Sequence, residues 1–120
     1  MNLKVSVVLP SYNERDNIAE AIQRLEYSLG DKLYEVIVVD DNSPDLTWKV
    51  AEDLHDKKVR VIRRINEKGL ASAIARGVVE AKGNAVVWLD CDLGIPPEAI
   101  PRLVEKLDEY DVVIGSRYVE

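Results

Sequence analysis

Asp90 and Asp92 are the residues of this chain best placed to do chemistry. They stand two apart at the end of Ala85-Val-Val-Trp-Leu89, a short apolar run. A run of that kind, with Gly83-Asn84 before it and Gly94 and Pro96-Pro97 after it, reads as a buried strand of a parallel sheet. Side chains at i and i+2 of a strand point to the same side. The two acids can therefore face one small volume beyond the strand's carboxyl end. Held that close they repel each other and lose hydration, and a divalent cation between them relieves both costs. Mg2+ and Mn2+ suit such a place, because they prefer oxygen ligands and commonly combine one or two carboxylates with substrate phosphates. On this reading Asp92 holds the metal and Asp90 lies nearby.

Two further polar clusters stand after apolar runs, at Ser11–Glu14 and Asp40–Ser43. Tyr12 could stack on a base, and Asp41 could accept hydrogen bonds from a ribose or a base. The chain has no Gly-x-x-x-x-Gly-Lys-Ser/Thr and no Gly-x-Gly-x-x-Gly after its first strand, so backbone does not wrap a diphosphate in the usual ways. A cation at Asp92 would have to neutralise that charge instead. No serine–histidine or cysteine–histidine pair suggests itself. His55, the sole histidine, falls in the pattern of the second helix, and Cys91 reads as a small buried residue. Trp48 and Trp88 read as core residues. Arg64 and Lys68 read as a solvated charged edge.

The elements that must position these groups follow from periodicity. Strands are expected over Leu3–Leu9, stopped by Pro10, and over Tyr34–Val39, Val59–Ile62, the stretch from Ala85, and Asp111–Gly115. Helices are expected between them. The first has Asn13 as its N-cap, Ile18, Ala21, Ile22, Leu25 and Leu29 inward, and Gly30 at its end. The second has Asn42-Ser43 as cap and Pro44 in its first position, with Trp48, Ala51 and Leu54 inward. An alternative reading gives Asp41 or Ser43 no role beyond capping this helix. A third starts at Gly69, with Leu70, Ala73, Ile74, Gly77, Val78 and Ala81 on one side. A fourth follows Pro96-Pro97, with Ile100, Leu103, Val104 and Leu107 inward. Such alternation predicts an α/β fold: a mostly parallel, Rossmann-like sheet with helices on both faces. In such sheets ligands bind beyond the carboxyl ends of the strands. With strand order 3-2-1-4 and strand five at or near an edge, the three polar clusters share one crevice.

Composition bounds the rest. The chain has 120 residues, 47% of them apolar and 32% charged. That supports a single compact domain over residues 1–120 with a sizeable core. A net charge of −6 argues against a dedicated nucleic-acid binder but leaves a nucleotide ligand open. One cysteine excludes an internal disulfide and fits a reducing compartment. The first residues read directly as a strand, without a signal-peptide pattern, and no apolar run is long enough to span a bilayer.

Five ordered motifs make the chain resemble the inverting glycosyltransferases of family 2: Pro10-Ser-Tyr-Asn-Glu14, Val38-Val-Asp-Asp-Asn-Ser-Pro-Asp45, Glu67-Lys-Gly-Leu70, Asp90-Cys-Asp-Leu93 with Pro96-Pro97, and Gly115-Ser-Arg-Tyr118. Within the family they are most similar to dolichyl-phosphate mannosyltransferases. The resemblance implies the nucleotide-sugar-binding N-terminal half of a GT-A fold, with GDP-mannose as donor and a polyprenyl or dolichyl phosphate as acceptor. It implies that Pro10, Tyr12, Glu14, Val39 and Asp41 line the nucleoside pocket. Asp90, Cys91 and Asp92 would occupy the Asp-x-Asp segment, with Asp92 as metal ligand and catalytic residue, and Arg117 near the acceptor phosphate. A cytoplasmic domain, peripheral to the membrane face, follows from the same likeness. A phosphate acceptor is already an anion, so it needs no strong general base.

Two departures from the family pattern stand out. Gly94-Ile95 occupy the place where such enzymes commonly carry Gln-His, and a glycine offers no side-chain ligand. The sequence also stops just after Gly115-Ser-Arg-Tyr118, where family enzymes continue. That raises a second expectation, a truncated or inactive nucleotide-binding or interaction module. The unsheltered Val112-Val-Ile114 strand then suggests self-association. A third reading, a receiver-like signalling domain, fits the length and the strand-end acids but not their placement.

Overall fold

The computed structural model describes residues 3–91 and 112–114. The expected fourth helix, Asp92, Gly94, Pro96-Pro97 and Arg117 fall outside the described residues. Five strands form one parallel sheet: β1 (Val5–Ser11), β2 (Leu33–Asp40), β3 (Val59–Arg63), β4 (Ala85–Trp88) and β5 (Val112–Ile114), in the order β3-β2-β1-β4-β5. The expected order is found, with β5 at the edge among the described residues. A receiver-type sheet would run 2-1-3-4-5, so the topology sets that reading aside.

The three α-helices among the described residues divide between the two faces. α1 (Ile18–Leu29) and α2 (Thr47–Glu52) cover one face, and α3 (Leu70–Glu80) covers the other. Alternation along β1 makes this possible: Val5, Val7 and Leu9 pack with Ile18, Ala21, Ile22, Leu25, Leu29 and Ala51, while Val8 packs with Ile37, Val39 and Ala73. A helix of α1's length is marginal alone in water. Its buried stripe, at about 1.5–3 kcal/mol per large apolar side chain, is what stabilises it. α3 comes unusually close to β1 through Gly77, where an added Cβ would sit 2.3 Å from Val8 Cγ1.

At the amino end of the strands a buried acid is fully accounted for. Glu35 Oε2 accepts hydrogen bonds from Ser6 Oγ and the Lys82 N–H, both at 2.7 Å, and its other oxygen lies 3.6 Å from Arg60 Nε. This end of the sheet is tied together by structure, which leaves the carboxyl end for a ligand.

Several local expectations are corrected. Pro10 does not stop β1, which runs on to Ser11 opposite Asp40. The Val8 and Pro10 carbonyls face the β4 side, bonded by the Leu89 N–H at 3.0 Å and approached by Cys91 Sγ at 3.7 Å. The N–H that proline lacks would point the same way, past Trp88, where the β4 ladder has ended. Nothing is lost on the β2 side. Asn13 is not a cap; it lies in the left-handed region at φ 56°, and Asn17 precedes α1. Pro44 does not open α2. That helix starts at Thr47 with a left-handed Leu46 as its N-cap, and Asp45 just before it accepts from the Thr47 N–H at 3.0 Å and from the Thr47 hydroxyl. Neither Asp41 nor Ser43 serves as that cap. His55 lies beyond α2, exposed, at φ 50°. Trp48 is half-buried rather than core, with the Arg63 guanidinium 3.9 Å from its ring centroid. Trp88 packs against the α3-side cluster.

Candidate active site

The first two carboxyl-end loops are fastened to each other. Three successive backbone N–H groups of the first loop donate to side chains of the second: Asn13 to Ser43 Oγ at 3.0 Å, Glu14 to Thr47 Oγ1 at 2.9 Å, and Arg15 to Asp45 Oδ2 at 3.2 Å. Burial alone would raise the Asp45 pKa, but hydrogen bonds from Thr47 and Arg15 outweigh it and hold the carboxyl below its usual range. Beneath them Asp40 is fully buried and satisfied. It accepts from the Ser11 and Ser43 hydroxyls and from the Ser43 N–H, each at 2.8 Å.

Beside this seam a cavity of about 460 Å3 opens between β1, β2 and the start of α3. Pro10, Ser11 and Tyr12 form one side, Asp41 lies on another, and Lys68, Gly69, Leu70 and Ala73 close it. The volume falls within the range of small-molecule sites, and apolar walls with a few convergent polar groups are their usual make-up. Tyr12 is 48% exposed, and Lys68 Nζ lies 5.7 Å from its ring centroid. Both residues line the cavity, so an aromatic ring and a cation stand together on its rim.

Asp41 is the one acid on the described part of the wall, and it is held from two directions. Arg64 Nε donates to Oδ1 at 2.7 Å, and the Gly69 N–H donates to Oδ2 at 2.9 Å. A carboxylate offers about four lone-pair sites, so acceptor capacity remains on both oxygens. Arg64 is itself only 4% exposed. Its bond to Asp41 holds the guanidinium more firmly protonated than a free arginine, against the opposing effect of burial. The expected solvated edge is therefore wrong for Arg64, which is a buried, paired cation. Lys68 is exposed, as expected, but it stands on the cavity wall.

The other residues singled out from sequence are placed as follows. Glu14 is half-buried, bonded through Oε2 to the Asn17 amide at 3.1 Å, and is not among the described walls. Val39 is 0% exposed, in the cluster with Ala73, so its side chain supports the wall from beneath. Asp90 is half-buried just beyond β4, and Cys91 is buried with its thiol against Pro10. Among the described residues no three His, Cys, Asp or Glu side chains gather to hold a metal ion; Asp92 is not among those residues. The described helices include none long and apolar enough to cross a membrane. Sequence reasoning gave Gly69 and Leu70 only through a motif, and it missed Arg64 and Ala73 as parts of the site.

Residues 6–120 match the family model for glycosyl transferase family 2. The chain belongs to that family. Among its family 2 relatives is the dolichol-phosphate mannosyltransferase of Pyrococcus furiosus, 51% identical over 120 residues, a match covering 98% of this chain and 34% of the relative. Among solved structures, the fold resembles a mannosyltransferase from Pyrobaculum calidifontis in complex with GDP-Man and Mn2+, with TM-score 0.74, 30% identity, and coverage of 92% of this chain and 34% of that one. It also resembles glucosyl-3-phosphoglycerate synthase from Mycobacterium tuberculosis in complex with Mn2+, UDP and glucosyl-3-phosphoglycerate, with TM-score 0.69, 30% identity, and coverage of 88% of this chain and 39% of that one. The chain thus spans about a third of the length of the family 2 relative it matches at 51% identity.

Proposed function

We propose that this chain binds a nucleoside-diphosphate sugar, GDP-mannose in preference, as the donor half of a glycosyltransferase that passes the sugar to a polyprenyl or dolichyl phosphate. The observation that carries the reading is the Asp41 carboxylate, fixed on the wall of an otherwise mostly apolar cavity beside an exposed Tyr12. A carboxylate with spare acceptor capacity suits guanine, whose N1–H and 2-amino group present adjacent donors; uracil presents only its N3–H. Tyr12 offers a face for the base. Similarity to a dolichol-phosphate mannosyltransferase and to a mannosyltransferase complexed with GDP-Man supports mannose as the sugar.

On this reading the diphosphate runs from the cavity toward the ends of β1 and β4, where Pro10 and Cys91 meet. Asp90, Cys91 and Asp92 flank it there, and Asp92 is the catalytic metal ligand. A bound Mg2+ or Mn2+ would supply positive charge to stabilise the departing nucleoside diphosphate. Arg117 would meet the acceptor phosphate. A cytoplasmic, membrane-peripheral setting and self-association through the sheet edge belong to the same proposal.

Isothermal titration of the folded chain with GDP, GDP-mannose and UDP, each with and without MnCl2, tests it. Saturable binding of the guanosine nucleotides, tightened by Mn2+, is expected. Absence of binding by all three under both conditions defeats the reading. Transfer of radiolabelled mannose to a polyprenyl phosphate separates an active enzyme from a module that only binds.

A further inference from the structure

Arg64 is the most heavily bonded cation among the described residues, and nothing in the proposed chemistry yet uses it. It is buried, bonded to two groups of the cavity wall, and joins three elements. Its Nε donates to Asp41 Oδ1 at 2.7 Å, one terminal nitrogen donates to Ser72 Oγ at 3.0 Å, and the other donates to the Gly69 carbonyl at 3.1 Å. Glu67 Oε2 lies 3.6 Å from the guanidinium. The Arg64 backbone N–H is also fixed, by the Asp40 carbonyl at 2.7 Å.

The bonds close a ring. The Gly69 N–H goes to Asp41 and the Gly69 carbonyl goes to Arg64, while Asp41 and Arg64 bond each other. Gly69 has φ +124°, a region L side chains avoid, so the ring rests on a backbone shape that glycine permits. The planar guanidinium presents its donors in fixed directions. A carboxylate bonded on one oxygen by the Nε–H of a guanidinium whose other nitrogens are themselves anchored, and on the other oxygen by a backbone N–H, cannot rotate freely about its last torsion.

We propose that Arg64 is the positioning residue of the base-reading acid: it presets the plane of the Asp41 carboxylate so that the remaining lone pairs face the cavity before any ligand arrives. Arg64 touches neither phosphate nor base. Its partners already occupy three of its donor positions, and its burial keeps ligand away from it. The consequence is specificity. Two donors on a purine edge can be met together only if both carboxylate oxygens are held in the plane of the base. A single donor is satisfied over a wider range of carboxylate orientations. Losing Arg64 should therefore cost more discrimination than a general weakening of the fold.

This inference rests on the nucleotide-binding reading above, and the experiment separates the two. Dissociation constants for GDP and for inosine diphosphate, which lacks the 2-amino group, are measured by titration for the wild type, Arg64→Met, Arg64→Lys and Ser72→Ala. The wild type should prefer GDP. Arg64→Met should weaken GDP binding at least tenfold and bring the GDP-to-inosine ratio close to one. Arg64→Lys keeps the charge but not the fork, so it should recover thermal stability without recovering the ratio. Ser72→Ala sits at an exposed position and removes one anchor of the fork, so it keeps the test alive if neither arginine variant folds; it should shrink the ratio by about threefold. A folded arginine variant that retains the wild-type ratio, or a Ser72→Ala ratio equal to the wild type's, overturns the proposal, as does equal weakening of both nucleotides. A wild type that binds neither nucleotide defeats the underlying reading instead.

Discussion

The Cys91 thiol lies 3.7 Å from the Pro10 carbonyl oxygen, and this contact joins the end of β4 to the end of β1. It is made possible by the same proline that sequence patterning takes as a strand stop. With β4's ladder finished at Trp88, the Pro10 carbonyl has no strand partner on that side, and the thiol takes the place. Asp90 and Cys91 are thereby brought to the side of the cavity lined by Pro10, Ser11 and Tyr12.

Removal of metal should act through that corner. Asp92→Ala is expected to abolish the tightening of GDP binding by Mn2+ while leaving metal-free binding within about twofold, a difference small on the scale of one lost hydrogen bond. Chelation of the wild type should reproduce the variant's affinity. Titrations with and without MnCl2 decide it, and an Asp92→Ala protein that keeps the full Mn2+ effect would exclude Asp92 as the ligand.

Asp41 separates binding from stability by the choice of substitution. Asp41→Ala leaves a guanidinium of 4% exposure without its carboxylate, and breaking a buried pair from one side costs about 3–5 kcal/mol. Asp41→Asn can still accept from Arg64 through its carbonyl, but its amide then opposes the Gly69 N–H, so a loss of about 1–3 kcal/mol is expected. Both should weaken GDP binding at least about tenfold, the equivalent of one good hydrogen bond to a charged group. Denaturant unfolding beside calorimetry checks both, and an Asp41→Asn protein with wild-type affinity would remove the carboxylate from base recognition.

The close approach of α3 makes a third prediction. A Cβ at Gly77 would lie 2.3 Å from Val8 Cγ1, and Val8 is fully buried in the middle of β1. Alanine gains about 1 kcal/mol of helix propensity over glycine, but overpacking a filled core costs about 1–3 kcal/mol. The steric cost should win, because a central strand side chain has nowhere to retreat. Gly77→Ala is expected to lower the melting midpoint by several degrees. A midpoint at or above the wild type's would show that α3 can lift off the sheet cheaply.

The parallel sheet and its order were legible because β1 and β2 are buried on both faces and therefore read as unbroken apolar runs. The helix stripe of α1 was legible for the same reason, since all five residues expected inward are buried. Capping was not, because the candidate caps found better partners. Ser43 spends its hydroxyl and its N–H on buried Asp40, and Asn13 adopts a left-handed turn that asparagine tolerates. Of the candidate site, Tyr12 and Asp41 could be named from position, and Pro10 only through the family resemblance. Arg64 could not: after Arg63 at the end of a strand, one arginine points out over Trp48 and the next points in to Asp41. Strand alternation distinguishes them only once the buried side is known.

A carboxyl–carboxylate pair away from the site gives the chain a pH-dependent stability. Glu26 on α1 is hydrogen-bonded to Asp56, and this bond first, then burial, then repulsion by Asp56, raise the Glu26 pKa from 4.5 to about 7. Asp56 is lowered in turn, first by the bond from Glu26 and then by the Lys58 N–H, at 2.8 Å. The stabilisation from Glu26 is therefore complete below its unfolded value of 4.5 and is lost as pH rises through about 7. That from Asp56 is present above its unfolded value of 3.8 and is lost only in stronger acid. Together they favour the folded state near about pH 5 over pH 8, by less than about 1 kcal/mol once solvent screening of these partly exposed groups is allowed for. Glu26→Gln keeps a donor toward Asp56 at every pH, so it should flatten the slope between pH 5 and pH 8 and exceed the wild type in stability only at the upper end. Urea unfolding across that range reads the difference directly. Parallel profiles for the two proteins would mean that the shared proton contributes nothing to folding.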